Sequence, residues 1–373
     1  MLTPESRARS FPTLADKAYL NTAAEGIPPL EVKAALDEYF ADKQLGMDGR
    51  DKHYPRWEAL KTLTAEFFGL SSDEIGICSC SSEAYNLAAL ALRLRDGDEV
   101  VINDLDFPAG ATPWLQADCP ASAKVWQARA GGLDVQDLAA LLSPRTRLVT
   151  VSLVSFFNGH MVHVPEVAEV VRRHSDALLA VDVTQVLGRV PLDLKDADLI
   201  VSSTHKWILA THGGGLVGVP KRRTAEWTAP AGGWFNLENA FAPERFEAAV
   251  SKPGAASFSV GMPNFPAVYA VHAGLQYIQS VGVEAIDAAA RPLVHACLEG
   301  LQKLKIDLLT PADDAHIAGI LAFRHPDADR VHRALHAGGV HVMSSAGRLR
   351  IAIHGYNTYE DIERLLSVLR DAQ

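Results

Sequence analysis

The chain of 373 residues contains only four cysteines, and their spacing fits no metal or redox motif. Cys78, Cys80, Cys119 and Cys297 lack the CxxC spacing of a zinc or thioredoxin-like site, so we expect buried, reduced thiols and no bound metal. The sequence also lacks GxGxxG and GxxxxGK, the glycine-rich motifs of dinucleotide and Walker-type nucleotide sites. These absences disfavour zinc chemistry, disulfide exchange and both kinds of nucleotide binding.

Positive charge and long apolar runs are also scarce. Its 35 Lys and Arg are outnumbered by 45 Asp and Glu, for a net charge of -10, and no basic cluster is dense enough to attract a nucleic-acid backbone. No apolar run is long enough to span a bilayer, and residues 1–21 lack the apolar core of a secretory signal. We therefore expect a cytoplasmic protein that binds neither nucleic acid nor a membrane.

The chain does contain a regular alternation of apolar patterns. Hydrophobic residues make up 48% of the sequence and charged residues 21%, which predicts a compact fold. Short apolar runs alternate with amphipathic helical segments, which predicts an α/β domain with a mostly parallel sheet flanked by helices. The predicted strands are residues 75–80, 99–103, 148–153, 178–182, 199–202 and 215–219.

The C-terminal part of the sequence predicts a second, smaller domain. Residues 251–257 (SKPGAAS) contain Pro and Gly and predict a linker, which a long helix at residues 265–281 follows. Beyond residue 308 the predicted elements are strands 317–323 and 349–353 and helices 328–336 and 360–372. We expect a large domain at residues 15–255 and a small α+β domain at residues 256–373. Residues 1–14 are expected to join the small domain.

Lys206 occupies an unusual position at the end of a predicted strand. It closes residues 198–206 (DLIVSSTHK), where an apolar run ends in hydroxyl residues and a histidine. Partial desolvation at such a place lowers the ammonium pKa and makes a nucleophilic amine available. A solvated loop lysine is the ordinary alternative.

Residues 178–182 (LLAVD) predict a second buried strand, which ends in Asp182. Ligands of α/β sheets collect at the carboxyl ends of strands, so we expect this carboxylate and the Lys206 amine to share one site. Pyridoxal phosphate requires such a pair: a lysine for the Schiff base and an acid that keeps the pyridinium protonated. A helix N-cap is the alternative role for Asp182.

Two further segments offer a phosphate site and a ring contact. Ser203 and His205 precede Lys206, and the turn at Ser81 and Ser82 opens a predicted helix whose first N–H groups would face an anion. An ordinary serine N-cap is the alternative reading of that turn. Phe107, in the loop after strand 99–103, would cover one face of a planar ring, although a core position is the commoner role for a phenylalanine.

Taken in order, these segments resemble the class V family of pyridoxal phosphate enzymes, which have the type I fold. The resemblance extends from residues 19–24 (YLNTAA) to the last helix. It rests on Asp182, Gln185 and residues 203–206 (STHK), 81–86 (SSEAYN) and 350–358 (RIAIHGYNT). The family contains aminotransferases, cysteine desulfurases, selenocysteine lyases, cystine C–S lyases and epimerase-like members.

The resemblance implies a role for each matched residue. Lys206 would form the aldimine with the cofactor and move the substrate proton, and Asp182 would pair with the pyridine nitrogen. The remaining cofactor contacts would come from Gln185 at the phenolic oxygen, Phe107 on the ring, and Ser81, Ser82, Ser203 and His205 at the phosphate. Arg350 would bind the substrate α-carboxylate as a bidentate fork rather than lie on the surface, with Asn21 and Ala23 beside it. A homodimer is also implied.

The sequence departs from the family in three places. Residues 338–349 (GGVHVMSSAGRL) lack the loop cysteine of persulfide-forming desulfurases, so the usual sulfur-accepting nucleophile is missing. Met262 stands where many members have the threonine of GTPN, which reaches the phosphate of the partner subunit. Phe156 aligns with an asparagine near the ring, which leaves open whether Asn158 takes its place.

These residues predict a pyridoxal phosphate-dependent enzyme acting on a small amino acid or amine, with transamination as the leading hypothesis. A C–S lyase that works by β-elimination without a persulfide cysteine, and an epimerase, are the alternatives. Pocket shape and water access decide between them after the Cα proton is removed. A non-catalytic binding or scaffolding protein is an alternative of another class, although retention of both Lys206 and Asp182 speaks against it.

Overall fold

The computed structural model describes residues 1–311 and 313–372. Its helices are α1 (Pro4–Ser10), α2 (Leu30–Lys43), α3 (Met47–Phe68), α4 (Ser81–Leu92), α5 (Pro108–Ala111), α6 (Val135–Leu141), α7 (Val164–His174), α8 (Phe265–Val281), α9 (Val283–Lys303), α10 (Ala328–Ala337) and α11 (Tyr359–Asp371). Its strands are β1 (Ala18–Tyr19), β2 (Ile75–Cys78), β3 (Glu99–Asn103), β4 (Ser122–Trp126), β5 (Thr146–Ser152), β6 (Leu178–Asp182), β7 (Leu199–Ser203), β8 (Gly215–Gly218), β9 (Asp307–Leu308), β10 (Ile320–Arg324), β11 (Val340–His341), β12 (Met343–Ser345) and β13 (Arg348–Ala352). Within these ranges no helix is both long and apolar enough to cross a membrane.

Seven strands form the central sheet in the order β2-β8-β7-β6-β5-β3-β4. Strand β8 runs antiparallel to both of its neighbours, and the other pairings are parallel. Every residue of β6 and β7 is buried, because a parallel sheet is covered on both faces, and this explains their continuous apolar sequences. The predicted α/β architecture with a mostly parallel sheet is confirmed.

Helices cover both faces of the central sheet. On one face α3, α7 and α8 pack into a core that includes Trp57, Val167 and Val268. On the other face α4 contributes Leu87 and Ala88 to a second core. Water is excluded from both faces, so a ligand can approach the sheet only at the ends of its strands.

A four-stranded antiparallel sheet, in the order β12-β13-β10-β9, forms the smaller unit of the predicted α+β type. Helices α9, α10 and α11 pack against it in a core that includes Leu301, Leu335 and Leu365. The N-terminal segment joins this unit, because Ala18 of β1 pairs with Val340 of β11. The chain therefore starts and ends in the same part of the molecule.

Helix α8 packs with the large unit, although the predicted boundary between residues 255 and 256 assigned it to the small domain. Its side chains Phe265, Val268 and Val271 belong to the core of the large sheet, and the small core begins only with α9. This helix is buried on most of its circumference, between the sheet and helices α2 and α3. The break between the cores lies at Gly282, whose φ of +89° separates α8 from α9.

The start of β7 is fixed by a buried carboxylate. Asp198 is fully buried and accepts a hydrogen bond from Leu179 N at 2.9 Å. Its other oxygen lies 2.8 Å from Nε of Arg223, and Arg172 and Arg222 also contact the carboxylate. These contacts tie β7 to β6 and so determine where the chain leaves the sheet before Lys206.

Replacing Asp198 with Ala should lower the free energy of unfolding by about 2–4 kcal/mol, because a buried charge-assisted network is lost. Urea denaturation measures this difference. Asp193→Ala is the matched control: Asp193 is exposed and pairs with Lys195 at 3.4 Å, so its loss should cost less than about 1 kcal/mol. Equal losses in the two variants would contradict the structural role of Asp198.

Candidate active site

The candidate active site lies where three neighbouring parallel strands end. Strands β5, β6 and β7 are adjacent, and Ser152 pairs with Asp182 across β5 and β6. Lys206 follows the end of β7, so the amine and the carboxylate open into one cavity. That cavity is lined by Ser81, Phe107, Ser152, Phe156, Asp182, Thr184, Gln185, Ser203, His205 and Lys206.

Lys206 is a buried lysine rather than a solvated loop residue, since it is only 9% exposed. Burial lowers the pKa of Lys206 to about 8, against the opposing charge of Asp182 and with a further contribution from Arg350. Its Nζ lies 5.1 Å from the centroid of the Phe107 ring. An appreciable fraction of neutral amine is therefore present slightly above neutral pH, as a nucleophile or a base requires.

Asp182 supplies the carboxylate of the cavity. Thr184 N donates a hydrogen bond of 2.8 Å to Asp182 Oδ1, which is the turn-capping contact that the sequence allowed. Burial raises the pKa of Asp182, whereas the Thr184 hydrogen bonds and the charge of Lys206 lower it. The carboxylate therefore both holds the turn after β6 and faces the cavity that contains Lys206.

Helix α4 begins at the cavity with uncapped N–H groups. Cys80, not a serine, is the N-cap residue, and no side chain accepts a hydrogen bond from the first turn in the manner of a cap. Ser203 Oγ and Ser81 Oγ are joined by a hydrogen bond of 2.9 Å, which brings the end of β7 to this helix start. Two hydroxyls and the positive end of a helix dipole thus converge on one point, a composition that suits a phosphate.

Of the other two predicted phosphate ligands, His205 lies at the cavity and Ser82 does not. His205 lines the cavity, and its ring stacks on His212 with centroids 4.1 Å apart. Burial, with the charges of Lys206 and His212, lowers the pKa of His205 to about 4, so its imidazole is a neutral ligand. Ser82 is exposed and does not line the cavity, because it occupies the next position on the turn of α4. Its side chain is not brought to the site.

Phe107 lies at the mouth of the cavity and is 42% exposed, so it is not a core residue. Its ring meets Phe156 edge to face, with centroids 5.1 Å apart and an interplanar angle of 89°. Both rings line the cavity that contains Lys206. This pair forms an aromatic wall against which a planar ring can stack.

Gln185 is held from two sides. Its Nε2 donates to the carbonyl of Ala23 at 3.1 Å, and its Oε1 accepts from Trp207 Nε1 at 2.8 Å. One amide N–H group remains for a ligand, as the predicted contact with a phenolic oxygen requires. Ala23 therefore acts through its main chain in orienting Gln185, not through a side chain that faces a substrate.

Arg350 and Asn21 carry buried polar atoms without partners in the structure as described. Arg350 is 2% exposed, donates from Nη1 to Phe156 O at 2.7 Å, and leaves its Nε unpaired. Burial, with the charge of Arg348, lowers the pKa of Arg350 to about 10. Asn21 pairs with Ala352 in the same strand region, and its Oδ1 is also unpaired. The unpaired Arg350 Nε is a donor, as expected where an anionic ligand completes the site, whereas the Asn21 Oδ1 is an acceptor and would need a donor from a ligand.

Gly26 places the N-terminal segment directly against the turn that contains His205 and Lys206. Its N–H group donates to His205 O at 2.8 Å. A Cβ atom at position 26 would stand 1.9 Å from Lys206 O, so no residue with a side chain fits without moving the backbone. The segment before Gly26 therefore covers the turn that presents Lys206.

Phe156 and Asn158 lie in different surroundings. Phe156 lines the cavity. Asn158 is buried and points away into the loop, where its Nδ2 donates to Gly131 O at 2.7 Å and its Oδ1 accepts from His160 N at 3.1 Å. Asn158 therefore shapes the loop behind the site and does not line the cavity.

Two polar residues at or beside the cavity were not predicted from the sequence. Asp106 is half-buried next to the site and accepts a hydrogen bond from Ser152 N at 2.7 Å, and desolvation of its carboxyl group raises its pKa to about 7. Thr184 accepts a hydrogen bond from Ser203 N at 2.9 Å and so links the ends of β6 and β7. An acid immediately before Phe107, and a hydroxyl two positions after Asp182, were the available signals.

The cysteines lie outside this cavity and are all free. The expectation of four buried thiols is wrong for Cys80, which is exposed at the start of α4, and for Cys119, which is half-buried. Met262 is also exposed, beside α8, and the homodimer stays a prediction for light scattering to test. A substrate in the cavity therefore meets an amine, one carboxylate and several hydroxyls, but no thiol among the lining residues.

Comparisons with known proteins agree with this geometry. The family model described as aminotransferase class-V matches residues 18–365. A probable cysteine desulfurase of Pyrococcus abyssi is 26% identical over 100% of this chain and 98% of its own, and the uncharacterized aminotransferase YcbU of Bacillus subtilis is 26% identical over 97% and 96%. The solved complex of the cystine C–S lyase C-DES with cysteine persulfide has a TM-score of 0.88 at 23% identity, covering 97% of this chain and 99% of that one. The predicted type I fold is confirmed.

The Lys206 amine should titrate near pH 8, well below an exposed lysine, because burial disfavours its ammonium form. The rate of acetylation of Lys206 at a series of pH values, read by peptide mass spectrometry, gives this midpoint. Arg350→Gln should move the midpoint up, since a neighbouring positive charge is removed, and Asp182→Asn should move it down. A midpoint above 10 in the unsubstituted protein would contradict the described environment.

Proposed function

The chain belongs to the class V aminotransferase family of pyridoxal phosphate enzymes, and we propose that within it the protein is a lyase that cleaves the Cβ–S bond of an amino acid by β-elimination. The observation that carries this proposal is a cavity with a lowered-pKa lysine and no cysteine among its lining residues. Persulfide-forming desulfuration needs a protein thiol to accept the sulfur, whereas β-elimination does not. The names of the cysteine desulfurase relatives and of C-DES support cleavage of a C–S bond.

The residues of the cavity fit pyridoxal phosphate. The uncapped start of α4, with Ser81 and Ser203, would hold the phosphate, and His205 would add a neutral donor. Asp182 would face the pyridine nitrogen and Phe107 the ring. When bound, this cofactor withdraws electrons from the substrate Cα, which makes the Cα–H bond acidic.

Lys206 moves the proton in the proposed reaction. With a pKa of about 8, its Nζ can accept the proton from Cα and then hold it close to the reacting atoms. The buried position of Nζ limits exchange of that proton with water. Arg350 orients the substrate by binding its α-carboxylate, because its fixed fork of donors matches two carboxylate oxygens.

The leaving sulfur departs with the electron pair of the Cβ–S bond. The remaining three-carbon fragment is hydrolysed to pyruvate and ammonia, so water is the only co-reactant. Because no thiol lines the cavity, the sulfur leaves on its own substituent as a free thiol or persulfide. The protein therefore ends each cycle without a modified cysteine.

Transamination is the second candidate, and the name of the Bacillus subtilis relative favours it. It uses the same Lys206 proton transfer and differs in where the proton is returned. A transaminase also needs a keto acid as amino acceptor to complete its cycle. The requirement for an acceptor therefore separates the two candidates.

We expect cystine or S-substituted cysteines to yield pyruvate and ammonia in equal amounts without an added keto acid. Lactate dehydrogenase coupling and an ammonia assay measure the two products. Cys80→Ser and Cys119→Ser should retain turnover and show no persulfide by mass spectrometry, because neither thiol lines the cavity. Transfer of the amino group to an added keto acid, with formation of the sulfur-substituted keto acid whose Cβ–S bond is intact, would favour transamination. Alanine formed from the substrate would instead indicate desulfuration of the persulfide-forming type.

Lys206→Ala should lower turnover by about 100- to 10,000-fold, since the group that transfers the proton is lost. Borohydride treatment of the unsubstituted holoprotein should fix the cofactor to the peptide that contains Lys206, and the variant should show no such label. Lys33→Ala is the control, because Lys33 is exposed and pairs only with Asp37 on the surface. Label on another lysine would show that Lys206 is wrongly assigned.

A further inference from the structure

Strand β13 presents two buried arginines on one face. Arg348 and Arg350 are alternate residues of the strand and are 6% and 2% exposed. Their neighbours Leu349 and Ile351 point to the opposite face, into the core of the small unit. Both guanidinium groups therefore lie on the side of the strand that faces the large unit.

Neither arginine has a carboxylate partner at ion-pair distance among the residues described. Arg348 donates from Nη1 to Phe157 O at 2.6 Å, and Arg350 donates from Nη1 to Phe156 O. The guanidinium of Arg348 also lies 4.4 Å from the centroid of the Phe157 ring and 5.5 Å from that of Phe156. Each arginine donates to one carbonyl, and Arg348 alone also lies against aromatic rings, so most of the five N–H groups of each have no hydrogen-bond acceptor among the described residues.

Arg189 is a buried arginine with a structural role, and its contacts differ from those of Arg348 and Arg350. It is fully buried, lies 2.9 Å from the carboxylate of Asp287 and donates to Ile353 O. An uncompensated buried charge is costly, and two such charges on alternate residues repel each other as well. The pair on β13 therefore has the composition of a binding site for anions rather than of a structural contact.

The position of the pair connects it to the active site. Both guanidinium groups are held by consecutive carbonyls of the loop after β5, and the ring of Phe156 lines the cavity with Lys206. Alternate residues of a strand lie about 7 Å apart, so two anionic groups at a similar separation would meet one arginine each. The α-carboxylate assigned to Arg350 accounts for only one of these groups.

We propose that the substrate carries a second acidic group on its sulfur-linked side and that Arg348 binds it. This inference rests on the proposed function, since it names the substrate class of the same site. The structure thus assigns the enzyme to amino acids in which a carboxylate or sulfur oxyanion lies beyond the Cβ–S bond. Arg350 holds the α-carboxylate, and Arg348 sets the preference among side chains.

Two ligands that differ only in charge test this inference. S-carboxymethyl-L-cysteine ends in a carboxylate, and S-carbamoylmethyl-L-cysteine ends in the corresponding neutral amide. Titration of the holoenzyme with each ligand, followed by the absorbance of the bound cofactor, gives two dissociation constants. We expect the acid to bind about 10- to 100-fold more tightly than the amide, the range that charge-assisted hydrogen bonds supply.

Substitutions then assign that preference to one side chain. Arg348→Gln should remove most of the preference, and Arg348→Lys should retain part of it because the charge remains. Arg350→Gln should weaken both ligands alike, since both contain the α-carboxylate. Arg324→Gln is the matched control, because Arg324 faces Arg348 on the neighbouring strand β10 but is exposed. Thermal unfolding checks that each variant is folded.

Equal affinities of the unsubstituted holoenzyme for the acid and the amide would overturn the inference, as would a full preference in Arg348→Gln. Even if Arg348→Gln fails to fold, the ratio of the two dissociation constants of the unsubstituted enzyme shows whether the second acidic group is recognised. Equal affinities together with pyruvate formation from both compounds leave the lyase proposal intact and remove only the role of Arg348. Tight, Arg348-dependent binding of the acid without release of pyruvate and mercaptoacetate supports the second anion site and removes the lyase proposal.

Discussion

The parallel register of β5, β6 and β7 is the constraint on which the rest of the site depends. Because Ser152 and Asp182 are paired across two of these strands, the residues that follow all emerge at one edge of the sheet. The start of α4, the N-terminal segment and β13 each approach that edge from a different part of the chain. A shift of one residue in the register would turn Asp182 away from the cavity and separate Ser203 from Ser81.

Charge is distributed in two distinct ways in this molecule. Structural charges such as Asp198 and Arg189 are buried with partners of opposite sign. At the active site burial instead acts on charges that are incompletely matched, so the pKa values of Lys206 and Arg350 fall and that of Asp182 rises. In the proposed complex the cofactor phosphate, the pyridinium nitrogen and the substrate carboxylate would supply the missing partners. The charges of the active site are therefore expected to be fully paired only when the ligands are bound.

Local signals were sufficient to predict the central residues of the site. Asp182 ends a continuous apolar run, Lys206 follows the polar residues that end another, and the bounds of β6 and α8 follow from apolar patterning alone. Edge strand β4 was not predicted because it is largely exposed and lacks an apolar run. Helical periodicity shows that α8 buries a face but not which core receives it, so the sequence did not reveal that its side chains pack in the core of the large sheet.

Contacts between distant parts of the chain account for most of what the sequence did not reveal. The main-chain support that Ala23 gives to Gln185, and the hydrogen bond between Thr184 and Ser203, depend on register and on packing. That Arg348 has no carboxylate partner among the described residues depends on the positions of the acidic side chains in the folded chain, which the sequence does not reveal. Ser82 shows the converse case, because a hydroxyl beside the right helix start points to solvent.

The N-terminal cover over the lysine turn has a consequence for how the protein is made. Residues before Gly26 leave the ribosome first, yet β1 reaches its place only by pairing with β11, near the other end of the chain. The central sheet can assemble during synthesis, whereas the cover over Lys206 must wait for the last strands. The cover over the Lys206 turn therefore depends on a pairing between two strands that are far apart in the sequence.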